Sequence, residues 1–388
     1  MAKKVLILGS TGSIGEQALE VVSGSEELEL CGISAGHRWE RLCEQAREHR
    51  LATIALSRPE AAERASGELG AEVRVLAGDA GVRDLVAASE PDLVLNAIVG
   101  FAGLGPTIVA LSDGIDLALA NKESLIVGGE LVTALAEASG AALVPVDSEH
   151  SALHQLLRGE APGTADRLVL TASGGPFRGR TDLGGITPNE ALAHPTWEMG
   201  GRITVDSATL MNKGFEVIEA HHLFGFGYER IDVVVHPQSI VHAMIRMNDG
   251  ASLAHLGHPD MRVPISYALH YPERADVGVP SLDLASVGEL TFEAPDTDVF
   301  ACLRLAREAG ERGGTAPCVL NAADEVAVEA FLAERIPFQA IAEVVSDALD
   351  ETPPHRPAHF EDLFAADAAA RELAAQLVER HSAPLGAS

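Results

Sequence analysis

"VLILGSTGSIGEQALEVV", residues 5–22, joins an apolar run, a loop with glycine at every third position and an amphipathic stretch. Val5 to Leu8 are apolar without alternation, as in a strand buried on both faces. From Ser13 onward, Ile14, Ala18, Val21 and Val22 share one helical face, and Gly24 ends the helix. Gly9, Gly12 and Gly15 fall between strand and helix. This spacing does the work of a G-x-G-x-x-G fingerprint. Glycine permits the tight turn, and a pyrophosphate then sits on the helix N-terminus. Three glycines alone are a weak signal; the strand–turn–helix context strengthens it. A tight turn without ligand remains the alternative.

Outward from this stretch the pattern repeats. Apolar runs at 28–34, 52–56, 73–76, 92–98, 115–119 and 142–146 alternate with helical stretches. The fold class is therefore α/β. A Rossmann-like, doubly wound parallel sheet is predicted over 1–147. After 147 the texture changes. "RLVLTASGG" (167–175), "RITVDSA" (202–208), "DVVVHPQS" (232–239) and "VHAMIRMNDGASLAHLG" (241–257) read as strands, the last as a hairpin about Asp249-Gly250. These predict a central α+β domain over 148–271, with a mainly antiparallel or mixed sheet and helices on one side. A Pro/Asp/Ser-rich linker at 272–297 leads to a C-terminal helical domain, 298–388, helical to about 381. Residues 176–201 hold a single short helix, begun by the capping box Thr187-Pro188-Asn189-Glu190. A loop this long reads as a lid, with Trp197 and Met199 near its end.

The chain has 388 residues, enough for two or three domains, and a formal net charge of −29. That field repels nucleic acid and anionic membranes, so anionic ligands need local cations. Arginine dominates the basic residues; lysine occurs only at Lys3, Lys4, Lys122 and Lys213. No apolar run approaches the roughly 18 residues of a membrane span. The opening "MAKKVLILGSTGSIG" resembles a signal peptide superficially, but its apolar part is only Val5 to Leu8, which reads as a strand. Cys31, Cys43, Cys302 and Cys318 show no C-x-x-C spacing, which fits a reducing cytoplasm.

The second strand ends "GISAGHRWE" (32–40), with Gly36, His37 and Arg38 and no acid before Glu40. A carboxylate there would hold the ribose 2′-hydroxyl of NAD; Arg38 suits a 2′-phosphate instead, so NADP(H) is predicted. "PVDSEHSA" (145–152) puts Asp147 and Glu149 two apart after an apolar strand, pointing the same way in extended chain. Oxygen donors without a Cys/His cluster favour Mg²⁺ or Mn²⁺. A helix N-cap cluster is the alternative reading of the same residues. In "VDSATLMNKGFEVIEAHHLF" (205–224) a helix is expected after Ser207, with Asn212, Lys213 and Glu216 on one face. An ordinary Lys–Glu surface pair is the alternative; Asn212 and Gly214, poor in helix interiors, point to a site. In "LTASGGPF" (170–177) Ser173 precedes Gly174-Gly175, where hydroxyl and N–H groups reach an anion. Ser173, Ser207, Asn212 and Lys213 would together hold a phosphate. His194 rides the lid, where it has no core to serve.

"GSTGSIG", "LANKESL", "PVDSEHSA", "LTASGGPF", "HPTWEMG", "DSATLMNKGFEVIEA", "HPQSIVHAM", "PDMRVPIS" and "NAADEVAVEAFL" stand in an order that resembles the 1-deoxy-D-xylulose 5-phosphate reductoisomerase family over nearly the whole chain. The resemblance implies a homodimer that turns 1-deoxy-D-xylulose 5-phosphate and NADPH into 2-C-methyl-D-erythritol 4-phosphate, in the non-mevalonate isoprenoid pathway. It implies metal ligands Asp147, Glu149 and Glu216. Substrate contacts would be Lys122, Ser148, Glu149, Ser173, His194, Ser207, Asn212, Lys213 and Glu216, with Trp197 covering the reacting carbons. Cofactor contacts would be Thr11, Gly12, Ser13, Ile14, Gly36, His37, Arg38, Asn121, Glu123 and Gly200. Many members carry Lys-Asn where this chain has His37-Arg38, and Asn where it has Asp324.

Lys122, Glu149 and His194 are the expected catalytic residues. Lysine's compact ammonium suits a crowded place beside developing alkoxide charge better than arginine's planar fork, which accounts for Lys122 in an arginine-rich chain. Two rivals remain. A plain NADP-dependent dehydrogenase would need no metal trio, and an NADPH sensor would need neither Lys213 nor a lid.

Overall fold

The computed structural model describes residues 2–197 and 200–382. Met199, expected near the end of the lid, lies outside the described residues, as does the tail from 383. In chain order the elements are β1 (Lys3–Leu8), α1 (Ser13–Ser23), β2 (Leu28–Ala35), α2 (Trp39–Glu48), β3 (Thr53–Leu56), α3 (Pro59–Leu69), β4 (Arg74–Ala77), α4 (Gly78–Ser89), β5 (Leu93–Asn96), α5 (Leu104–Ser112), β6 (Asp116–Leu119), α6 (Glu123–Ser139), β7 (Leu143–Pro145) and α7 (Ser148–Arg158). There follow β8 (Ala165–Ala172), α8 (Pro188–Ala191), α9 (Gly201–Thr209), α10 (Met211–Phe224), β9 (Ile231–Val235), β10 (Val241–Met247), β11 (Ser252–Leu256), α11 (Arg262–His270), α12 (Leu284–Val287), α13 (Ala301–Arg312), α14 (Ala316–Leu332), α15 (Ala340–Glu351) and α16 (Phe360–His381).

The chain forms two compact units. The first comprises Met1–Ser124, Val132–His154 and Asp260–Ser281; the second comprises Leu125–Leu131, Gln155–Pro259 and Leu282–Ser388.

The first unit is built on a seven-stranded sheet, ordered β4-β3-β2-β1-β5-β6-β7. Every pairing in it is parallel. All seven apolar runs read from the sequence are strands of this sheet. Their lack of alternation has a direct cause. Val5 and Ile7 share a buried cluster with Ala18, Val21 and Val22 of α1 and Leu42 and Ala46 of α2. Leu6 and Leu8, pointing the other way, are as fully buried. A Cβ on Gly32 would lie 3.0 Å from Leu6 Cδ1 and 3.6 Å from Leu85 Cδ1 of α4. The order of strands reverses between β1 and β5, and the glycine loop leaves β1 at that switch point, where such sheets bind ligands. The chain re-enters this unit at α11, whose Ile265, Ala268 and Leu269 join the α1 side of the core.

The second unit carries a mixed four-stranded sheet, β11-β10-β8-β9. β10 runs antiparallel to β11 and β8, while β8 and β9 are parallel. The hairpin about Asp249-Gly250 is present as expected. Residues 301–381 are four long helices, α13 to α16. α14 is buried along most of its length and packs against α15 and α16.

One strand expectation fails. "RITVDSA" lies in α9, which begins at Gly201, turns at Leu210 (φ 61°) and continues as α10. Ile203 and Val205 imitate a period of two, but the polar residues between them bond at helical spacing. Thr204 Oγ1 donates to the Gly200 carbonyl at 2.9 Å, and Arg202 pairs with Asp206 four residues on. Thr204 to Thr209 are all buried, so polarity did not mark a solvent face. Gly214 also has a structural cause. A Cβ there would lie 2.4 Å from Ala306 Cβ, so the residue serves the contact of α10 with α13.

All four cysteines are free thiols. Among the described residues, no helix is long and apolar enough to cross a membrane.

Candidate active site

In the first unit the glycine loop follows β1. Gly9 N and Ser10 N both donate to the Ser34 carbonyl of β2, at 3.0 and 2.9 Å. A Cβ on Gly15 would lie 2.3 Å from the Gly9 carbonyl oxygen, so α1 packs directly onto the turn. No side chain caps the N-terminus of α1. Gly12, Ser13, Gly36, His37 and Arg38 are exposed around it, and Ile14 is half-buried. Arg38 donates through Nη1 to the Thr11 carbonyl at 2.9 Å, so its guanidinium stands beside the turn. The neighbouring Arg41 is engaged differently. It binds Glu16 of α1 through two bonds of 2.7 Å and Glu44 through one of 3.0 Å. The guanidinium holds the Glu16 carboxyl below its ordinary pKa, against a partial burial that opposes it.

Asn121 and Glu123 are buried after β6. Asn121 Nδ2 donates to the carbonyls of Ile98 and Gly100, at 2.8 and 2.9 Å, and to Glu123 Oε2 at 2.7 Å. Glu123 Oε1 accepts from Gly100 N at 2.9 Å. Both side chains therefore fix the segment that follows β5. Between them in sequence, Lys122 puts Nζ 2.9 Å from Asp147 Oδ2, with only 9% of its side chain exposed.

Asp147 directly precedes α7, and Ser148 and Glu149 open that helix. The extended-chain expectation is thus corrected: Glu149 N donates to Asp147 Oδ1 at 3.4 Å, the geometry of a helix start. Both Asp147 oxygens have protein partners, Glu149 N on Oδ1 and Lys122 Nζ on Oδ2, but each carboxylate oxygen carries a second lone pair, so the local correction leaves ligation chemically available. His150, which sequence reasoning passed over, is fully buried with Nδ1 3.5 Å from Asp147 Oδ1. Its spacing of three from Asp147 was the available signal.

In the second unit Ser173 directly follows β8. A Cβ on Gly175 would lie 2.7 Å from the Ser207 carbonyl oxygen, so the Ser173 turn sits against the last turn of α9. His194 Nδ1 accepts from Thr196 N at 3.2 Å and Trp197 N at 2.9 Å. Two amide donors require Nδ1 to be unprotonated. Nε2 then carries the proton and donates to Ser173 Oγ at 3.0 Å. Burial pushes the imidazole pKa down, which favours this neutral form. Trp197 is half-buried, and Gly200 caps α9. On α10, Asn212 Nδ2 donates to Glu216 Oε1 at 2.6 Å, and Lys213 pairs with Glu216 Oε2. Lys213 and Glu216 are 3% and 1% exposed, so this is not a solvated surface pair.

A second buried network went unread in the sequence. Arg202 binds Glu325 Oε1 at 2.9 Å, Asn321 Oδ1 at 3.1 Å and Asp324 Oδ2 at 3.4 Å. Burial pushes the Asp324 carboxyl up to about 6. These pairings join α9 to α14, and the misreading of α9 as a strand hid them.

The candidate carboxylates offer oxygen only, the donor set of a hard divalent cation. In each unit one of them already draws a buried ammonium, Lys122 on Asp147 and Lys213 on Glu216. These positions accept positive charge, which a metal ion also requires of them.

Three family profiles match the chain in order. One is described as 1-deoxy-D-xylulose 5-phosphate reductoisomerase (residues 5–129), one as its C-terminal domain (143–224), and one as the DXP reductoisomerase C-terminal domain (256–373). The 1-deoxy-D-xylulose 5-phosphate reductoisomerase of Symbiobacterium thermophilum is 50% identical over 380 residues, covering 96% of this chain and 98% of its own. That of Chloroherpeton thalassium is 49% identical over 378 residues, covering 95% and 96%. Among solved structures, the reductoisomerase from Zymomonas mobilis in complex with NADPH has a TM-score of 0.89 at 38% identity, covering 98% of this chain and 100% of that one. A DOX-P reductoisomerase in complex with NADPH, fosmidomycin and magnesium reaches 0.92 at 38%, covering 97% and 98%.

Proposed function

Because the chain belongs to the 1-deoxy-D-xylulose 5-phosphate reductoisomerase family, we propose that the residues described above carry out that family's reaction in the following roles. The enzyme converts 1-deoxy-D-xylulose 5-phosphate and NADPH to 2-C-methyl-D-erythritol 4-phosphate, with Mg²⁺, in non-mevalonate isoprenoid biosynthesis. The observation that carries this reading is the 50% identity spanning 96% of the chain.

A divalent cation, when bound, acts as a Lewis acid toward the substrate's ketone and neighbouring hydroxyl oxygens. Asp147, Glu149 and Glu216 are the ligands we propose for it. Lys122, held at Asp147, places a compact positive charge where alkoxide charge develops as the substrate's carbon–carbon bond breaks and re-forms. Ser148 and Glu149 orient the substrate's hydroxyl oxygens from the start of α7. NADPH supplies the hydride that reduces the rearranged aldehyde. Thr11 to Ile14 take its diphosphate on the unblocked N-terminus of α1, and Gly36 to Arg38 take its 2′-phosphate. Asn121 and Glu123 frame the nicotinamide end, with Gly200 on the lid side.

Ser173, Ser207, Asn212 and Lys213 anchor the substrate phosphate. His194 carries its proton on Nε2, where it serves Ser173 or a phosphate oxygen equally. Residues 176–201 act as the lid, with Trp197 excluding water from the reacting carbons. We assign NADPH binding to 1–147, catalysis and dimerisation to 148–271, a linking role to 272–297 and a helical domain to 298–388. The resemblance supports a homodimer, and four free thiols support a cytoplasmic protein.

The test is incubation of the protein with 1-deoxy-D-xylulose 5-phosphate, NADPH and Mg²⁺. NADPH oxidation and formation of the branched product are expected, and both should stop when chelator is added. A plain dehydrogenase would ignore the chelator, and an NADPH sensor would bind the cofactor without consuming it.

A further inference from the structure

Gln45 is an unusual residue for its place. It lies on the buried face of α2 with Leu42, Cys43 and Ala46, and no part of it is exposed. Burying an amide in that face costs several kcal/mol by order of magnitude unless both ends are bonded. Both ends are bonded to one residue. Ser10 Oγ donates to Gln45 Oε1 at 2.7 Å, and Gln45 Nε2 donates to the Ser10 carbonyl at 3.1 Å. Ser10, itself fully buried, is the second residue of the nucleotide loop. From its other side it is pressed by α1: a Cβ on Gly15 would meet Ser10 Cα at 2.4 Å.

The consequence follows from peptide planarity. In a trans peptide the C=O and the following N–H point in opposite directions. Fixing the Ser10 carbonyl toward Gln45 therefore fixes the Thr11 N–H away from it. The next plane is held in the same manner, because Arg38 anchors the Thr11 carbonyl at 2.9 Å. Two successive amides of the loop are thus set by side chains at and near α2.

We propose that Gln45 is a positioning residue for NADPH, holding the Ser10–Thr11 peptide so that the loop presents its amides to the cofactor's diphosphate. The inference rests on the reading that this loop binds NADPH. Gln45 touches neither cofactor nor substrate in this account; it acts through Ser10.

Gln45→Met tests it, since methionine matches the shape of glutamine and removes both hydrogen bonds. NADPH affinity is measured directly by fluorescence titration, with Tm, kcat at saturating NADPH and KM for the substrate alongside. The expected result is an NADPH Kd raised about tenfold, roughly 1.4 kcal/mol. The kcat and substrate KM should stay within about twofold of wild type. Gln45→Glu keeps the acceptor for Ser10 Oγ but turns a carboxylate oxygen toward the Ser10 carbonyl, and it should weaken NADPH at least as much. A Gln45→Met protein with native Tm and unchanged NADPH Kd overturns the proposal, as does an equal loss of kcat and substrate affinity. Should Gln45→Met not fold, Ser10→Ala trims the same contact from the other end. It should raise the NADPH Kd by a smaller factor, and an unchanged Kd there counts equally against the proposal. Wild-type protein that fails to bind NADPH would sink the underlying reading instead.

Discussion

Lys122 and Lys213 show how a single residue type became legible. Both are nearly excluded from solvent, and each lies against a carboxylate of the proposed metal set. Their rarity in the sequence was the signal, because the other two lysines occupy the N-terminus. The ammonium of Lys122 reaches Asp147 in a space that leaves 9% of its side chain exposed. An arginine would bring a wider, planar head with five donors into the same space. Lys122→Arg is therefore expected to lower kcat by about a hundredfold or more, the scale of losing one positioned electrostatic group. Near-normal turnover in a steady-state assay would remove the argument for a compact charge. Other residues gave less away. His150 and Gln45 look ordinary in sequence, since nothing local tells a buried bonded polar side chain from a solvated one. The extended geometry expected for Asp147 and Glu149 gives way to a helix start, while their candidacy as metal ligands is untouched by that correction.

At the scale of elements, the seven parallel strands were readable because burial on both faces leaves unbroken apolar runs. α9 was not. Its buried face carries Thr204, Asp206, Ser207 and Thr209, so hydrophobic periodicity could not reveal it. The packing of α1 against α2 has a functional consequence. Glu16 puts a carboxylate in the first turn of α1, where the cofactor's diphosphate is proposed to sit. Arg41 of α2 neutralises it through a bidentate pair. The pair is well exposed, with 42% and 35% of the two side chains open to solvent, so it adds little to stability. Its role in charge balance is larger. Arg41→Met should uncover Glu16 and raise the NADPH Kd about threefold to tenfold at low salt, less at high salt. Adding Glu16→Gln should restore affinity. A double variant as weak as the single one, in the same titration, would show that Arg41 acts by contact with the cofactor and not through Glu16.

At the scale of the molecule, the order of elements and the two kinds of sheet were legible, while the interleaving of the two compact units was not. Asp260–Ser281 returns to the first unit, and no composition shift marks the return. Acid sensitivity is also a whole-molecule property. Burial, then the neighbouring His221, pushes His222 down to about 4. A folded pKa below the unfolded value means that the unfolded chain binds the extra proton. The associated stability is present above about pH 6.5 and lost as pH falls toward 4, amounting to roughly 3 kcal/mol. The protein should lose Tm over that window, and His222→Asn should flatten the loss. A variant with the same slope as wild type would assign acid sensitivity to other groups.

Glu216 is proposed to serve the same cation as Asp147 and Glu149, and the roles assigned to the other residues follow from that. The direct measurement is a Mg²⁺ titration of steady-state turnover in wild type and Glu216→Gln, with NADPH binding followed in parallel. The expected result is a Mg²⁺ requirement shifted at least about tenfold upward and a collapsed kcat, with NADPH affinity unchanged. A Glu216→Gln enzyme that saturates with Mg²⁺ at the wild-type concentration would contradict it.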